Sequence, residues 1–113
     1  MATPLGEEIL KAGIDDWVPL FAIEGLARLQ GANSQAQARE AALKAIEELA
    51  TACLVQIGEV SDGGFFEWEG SVEEALARAR AIWETTDRDH WGFAVWIANT
   101  AAGDEAAMRL VSG

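Results

Sequence analysis

The sequence predicts a helix-rich α+β domain with two or three short antiparallel strands and a helix inserted between the strands. Three observations carry this. Ser34–Gln37 and Ser71–Glu74 are capping boxes, each opening a run whose apolar residues follow helical spacing. Two short apolar runs, 52–60 and 93–99, are rich in β-branched and aromatic residues and read as strands. The length of 113 residues and a hydrophobic fraction of 50% fit one domain, 1–113, with one packed core.

The elements follow in order. Residues 3–12 predict a short helix, with Thr3 as cap, Pro4 at the first helical position and Gly13 as its end. A second helix is expected from about 16 to 30, capped by Asp15 or Asp16, with Pro19 in its first turn and Gly31 stopping it. The third follows the Ser34 box, with Ala42, Leu43, Ile46, Leu49 and Ala50 on one face. Glu40, Lys44 and Glu48 are spaced to support one another on the wet face. The strand over 52–60 ends at Ser61-Asp62-Gly63-Gly64, and 65–69 reads as a short extension or an ordered loop. After Ser71, the residues Val72, Ala75, Leu76, Ala79, Ile82 and Trp83 share one helical face. A polar break at 87–90 precedes the strand over 93–99, which is apolar on both faces. A weaker helix over 101–110 closes the chain.

Helices followed by two pairing strands resemble a winged-helix arrangement with a helix inserted in the wing. The segments Ile57-Gly58-Glu59-Val60 through Gly64-Phe65, then Trp68, Ser71 to Trp83, and Trp96 to Gly103 resemble a group of small actinobacterial proteins of uncharacterised activity. That resemblance covers about the second half of the chain and implies no site residues. As a winged-helix regulator, the recognition helix would be 35–50. It offers Arg39 and Lys44 against Glu40, Glu47 and Glu48, a poor set for a phosphate-lined groove.

The charge is 19 acidic against 8 basic residues, a formal −11. Phosphate neutralisation needs the opposite field, so direct nucleic-acid binding is disfavoured, and a basic protein partner is favoured. No stretch has the length and apolarity of a membrane span, and the start at Met1–Glu8 lacks a signal-peptide pattern. A single cysteine, Cys53, makes no intrachain disulfide, and its apolar neighbours predict a buried, inert thiol. The expected setting is the cytoplasm, and the expected state is a monomer or homodimer.

No catalytic, metal or cofactor constellation is predicted. Asp87, Asp89 and His90 supply one imidazole where zinc wants several His or Cys ligands. His90 is also the only base available to a serine or to Cys53. The carboxylate pairs mostly sit at helix starts, where they complement the dipole. Gly63-Gly64 has no following Lys-Ser/Thr to hold phosphate. A small carboxylate/His enzyme is therefore the weakest of three readings.

One stretch stands out as a candidate protein-binding surface: Glu59, Asp62, Phe65, Phe66, Glu67, Trp68, Glu69, Glu73 and Glu74, six carboxylates and three aromatics with no base between them. Aromatics supply contact energy, and carboxylates steer and orient a basic partner. The alternative is that the aromatics turn inward and the acids only face water. Among the tryptophans, Trp83 and Trp96 read as core, and Trp17, Trp68 and Trp91 as surface candidates.

Overall fold

In the computed structural model, which describes residues 4–14, 16–85 and 94–112, the elements are α1 (Pro4–Ala12), β1 (Val18–Pro19), α2 (Leu20–Leu29), α3 (Gln35–Thr51), β2 (Val55–Ser61), β3 (Gly64–Glu67), α4 (Val72–Thr85), β4 (Trp96–Asn99) and α5 (Ala101–Ser112). The chain is a helix-rich α+β fold. The four strands form one antiparallel sheet in the order β1-β4-β2-β3, with α4 inserted between β3 and β4. One core cluster joins Ile9 and Leu10 of α1, Leu20 and Ile23 of α2, Ile46 and Leu49 of α3, Val55, Ile57 and Ile97 of the sheet, and Trp83 of α4.

The Ser71–Glu74 box forms as expected, and the Ser34–Gln37 box forms with its return bond shifted one residue, to Asn33. Ser34 Oγ accepts from the Gln37 N–H, and Gln37 returns a bond to the Asn33 N–H. Ser71 and Glu74 bond each other's backbone N–H reciprocally. On the wet face of α3, Glu40 pairs across to Arg80 of α4. The guanidinium bonded to Glu40 holds its carboxyl below the ordinary carboxylate range and raises Arg80 in turn.

Several expectations need correction. The expected helix over 16–30 begins only at Leu20, because Pro19 sits in extended backbone with φ −73° and ψ 153°. Val18 and Pro19 instead pair with Ile97 and Trp96 as a two-residue edge strand, where a missing N–H costs no ladder bond. The sheet therefore has four strands rather than two or three. The stretch 65–69 is a true strand through Glu67. The expected strand at 52–60 starts at Val55, because α3 runs on to Thr51. The strand expected over 93–99 is shorter, Trp96–Asn99, and Trp96 is only half-buried. Thr3, Asp15, the polar break with Asp87, Asp89 and His90, Trp91 and Phe93 lie outside the described residues.

Cys53 is a further correction: it is exposed, not buried. It follows α3 at φ +63°, with its N–H bonded to Ala50 O and the Leu54 N–H bonded to Leu49 O. This is a Schellman ending. The end of α2 is the same motif with Gly31 in the equivalent place at φ +108°, Gly31 N–H to Arg28 O and Ala32 N–H to Ala27 O. An apolar neighbourhood in sequence hid a helix terminus that a side chain must leave toward water. A left-handed L-residue costs about 1–2 kcal/mol, partly offset by the chain entropy that glycine adds to the unfolded state. Cys53→Gly is therefore expected to raise stability by about 0.5–1 kcal/mol in urea unfolding. A loss of stability would contradict this account of the α3 terminus.

Candidate functional site

The candidate surface is built on the β2–β3 hairpin and the start of α4. Asp62-Gly63 forms the tip. Gly64 follows at φ +119°, where only glycine is comfortable. The register pairs Ser61 with Gly64, Val60 with Phe65, Glu59 with Phe66 and Gly58 with Glu67. Beyond the strand, the Trp68 N–H continues the ladder to Ile57 O at 3.0 Å. Gly70 at φ +106° then turns the chain into the Ser71 cap of α4.

The nine candidate residues divide into two groups. Trp68, expected at the surface, is a core residue only 8% exposed. Its indole Nε1–H donates to Glu59 Oε1 at 3.0 Å, and the Arg78 guanidinium lies 4.1 Å over its ring. Arg78 also reaches Glu59 at 3.5 Å. Glu59, Trp68 and Arg78 thus bracket the hairpin to α4. Glu74 belongs to the cap. These three candidates hold the surface in place.

The other six stay at or near the surface. Phe66 is 50% exposed, and its ring lies over Gly63 at the tip. Phe65 is half-buried and packs at 6.3 Å, tilted 34°, against Trp17, which is itself 41% exposed. The Trp17 ring also closes against Gly64. A shelf of Trp17, Phe65 and Phe66 therefore runs around the hairpin tip. Asp62, Glu67, Glu69 and Glu73 are exposed, and among the described residues no cation pairs with any of them. Most described basic side chains are engaged elsewhere: Lys11 with Glu8, Arg28 with Glu24, Arg78 with Glu59, Arg80 with Glu40 and Arg109 with Glu105. Arg39 stacks over Trp83 at 5.1 Å.

Two features escaped the sequence reading. Trp17 was legible as a surface aromatic but not as a neighbour of Phe65, because the contact spans 48 residues of chain. Arg78 lies beyond the base-free window 59–74 and reaches Glu59 only through the fold. Its signal was its place three residues after the inward-facing Ala75.

A concavity is lined by Gly13, Ile14, Asp16, Trp17, Asn99 and Asp104. Its floor is structural. Asn99 Nδ2 donates to Leu10 O at 3.0 Å and to Asp104 Oδ1 at 3.2 Å, fastening α1, β4 and α5 together. Among the described residues, no group of three or more His, Cys, Asp or Glu is arranged to hold a metal ion. No helix among them is long and apolar enough to cross a membrane. No protein-family model, curated protein or solved structure matches the chain.

Proposed function

We propose that this chain is a small acidic, non-enzymatic protein-interaction domain that binds a basic protein partner through the β2–β3 hairpin, in the manner of an inhibitory or regulatory module. The observation that carries the reading is the aromatic shelf of Trp17, Phe65 and Phe66 set beside Asp62, Glu67 and Glu69, carboxylates that take no described cation of their own chain. Burying an exposed aromatic supplies affinity, while unpaired carboxylates at the rim supply on-rate and choice of partner. A cytoplasmic setting and a monomer or homodimer belong to the same proposal.

The test is affinity capture from lysate with the full chain, in parallel with Phe66→Ala and with the pair Glu67→Gln/Glu69→Gln. The expected result is one basic protein retained at low salt. Phe66→Ala should weaken it by about 2 kcal/mol, on the order of 30-fold in Kd. The double carboxamide variant should mainly slow association and flatten the salt dependence. Capture of an acidic protein, or capture indifferent to all three substitutions, would refute the reading.

The second reading, a winged-helix-like regulator, is favoured by one observation: β2 pairs directly with β4 across the inserted helix. On α3, however, Arg39 stacks on Trp83, and Glu40, Glu47 and Glu48 are exposed. That helix suits protein contact better than a phosphate backbone. Fluorescence anisotropy with a mixed-sequence DNA duplex at low salt should show no binding in the micromolar range.

A further inference from the structure

We infer that the outer edge of β3 is a strand-addition site for an extended segment of alternating basic and apolar residues. The inference rests on the reading of the hairpin as an acidic binding surface and specifies how a partner engages it. β3 ends the sheet and pairs only with β2. The bond from the Trp68 N–H to Ile57 O fixes which peptide groups face inward. By the antiparallel pattern, Gly64 and Phe66 turn their N–H and C=O toward Ser61 and Glu59. Phe65 and Glu67 therefore present two N–H and two C=O groups outward, and among the described residues no backbone hydrogen bond reaches them.

An open edge invites a further strand unless it is blunted, commonly by lysine, proline, a bulge or a cover. Residues 64–67 contain neither lysine nor proline, and their register with β2 runs without a slip. What guards this edge is negative charge: Glu67, with Asp62 before it and Glu69 after it, on a chain of net charge −11. That charge repels a second copy of the same edge and attracts a strand carrying Lys or Arg. The side chains define the complement. Phe66 and Glu67 point to opposite faces, so a residue added opposite Glu67 should be basic. Its neighbour, opposite Phe66, should be β-branched or aromatic. Main-chain bonds then give affinity, and the alternating side chains give selectivity.

The probe is an acetylated, amidated (Lys-Val)₄ peptide added to the full chain, read by amide hydrogen exchange. Binding should slow exchange at Phe65 and Glu67 by tenfold or more, and leave the inward-facing amides of Gly64 and Phe66 nearly as they were. Glu67→Pro, which removes one outward N–H, should weaken binding more than tenfold, whereas Glu67→Gln should cost only a few-fold. Unchanged exchange in α1–α3 verifies that the proline variant is folded. The peptide N-methylated at every lysine should fail to bind. If it binds as well as the parent, or if binding leaves Phe65 and Glu67 unprotected, strand addition is wrong and the acidic-surface reading stands. If no peptide binds even at low salt, both are wrong for extended basic segments. If Phe65 and Glu67 become protected with rising protein concentration alone, the occupant is a second copy and the proposal is overturned.

Discussion

Gly103→Ala is expected to cost about 2–4 kcal/mol of stability, although alanine normally favours a helix over glycine by about 1 kcal/mol. Gly103 lies in the first turn of α5. A Cβ there would stand 1.9 Å from Leu54 O, 3.0 Å from the Leu54 carbonyl carbon and 3.3 Å from Asn99 Cβ. The nearest atom is backbone, so no rotamer change relieves the clash. Nor can the carbonyl withdraw freely. Leu54 O accepts from the Thr100 N–H at 3.0 Å, and Cys53 O accepts from Thr100 Oγ1 at 2.7 Å. Thr100 Oγ1 in turn caps α5 by accepting from the Gly103 N–H at 3.0 Å. Moving α5 outward strains this whole junction and loosens fully buried Ala107 one turn on. The matched control is Gly25→Ala in α2, where nothing lies within 4 Å of the added Cβ. That variant should gain up to about 1 kcal/mol. Thermal melts should move in opposite directions, with Gly103→Ala falling by on the order of 10–20 °C. A Gly103→Ala protein as stable as the parent would overturn the described junction between the Cys53-Leu54 connection and α5.

How far the sequence alone reached depended on whether the governing interaction was local. Ser34 and Ser71 announce helix starts because the capping bonds close within three residues, and both form. The face of α4 was legible because spacing alone decides which side Ala75, Ala79 and Trp83 present, and all three are buried. Failures came where a distant partner decided, or where a local helix ending lacked its usual glycine. Pro19 reads as the first turn of a helix, yet β4 recruits it into the sheet. Cys53 reads as part of an apolar strand, yet the Schellman bonds of α3 claim it first. The same contrast divides the candidate surface. Asp62, Phe66, Glu67, Glu69 and Glu73 lie at the surface as their polarity and turn context imply. Trp68 is buried beneath Arg78, a residue nineteen positions past Glu59, and Glu59, though exposed, is paired with that same cation. A base-free window of sequence is not a base-free surface.

The second large effect is expected at Gly58, the residue on which the candidate surface depends without belonging to it. Gly58 lies in β2, opposite Trp96 of β4 and Glu67 of β3. A Cβ at this position would fall 2.1 Å from Phe66 O, 2.8 Å from the Phe66 carbonyl carbon and 2.9 Å from Glu67 Cα. All three are backbone atoms of β3, so the strand itself must retreat. On the opposite flank β4 holds β2 in place, which directs the displacement into the hairpin. Gly58→Ala should therefore cost about 2–4 kcal/mol, and the loss should be concentrated locally. Separation of Phe66 from Glu59 pulls the Trp68 N–H off Ile57 O and disturbs the indole bond to Glu59. Amide exchange should accelerate at Phe66 and Trp68 well before α1 and α5 respond, and tryptophan emission should shift to the red as Trp68 meets water. A basic partner should then bind more weakly although Asp62, Phe66, Glu67 and Glu69 are all still present, because a surface of scattered side chains binds only when its strand holds them in register. If Gly58→Ala melts as one unit with α1, with no earlier opening of the hairpin, then β3 is not the separable edge described here. The candidate surface would then have to be regarded as part of the core it flanks.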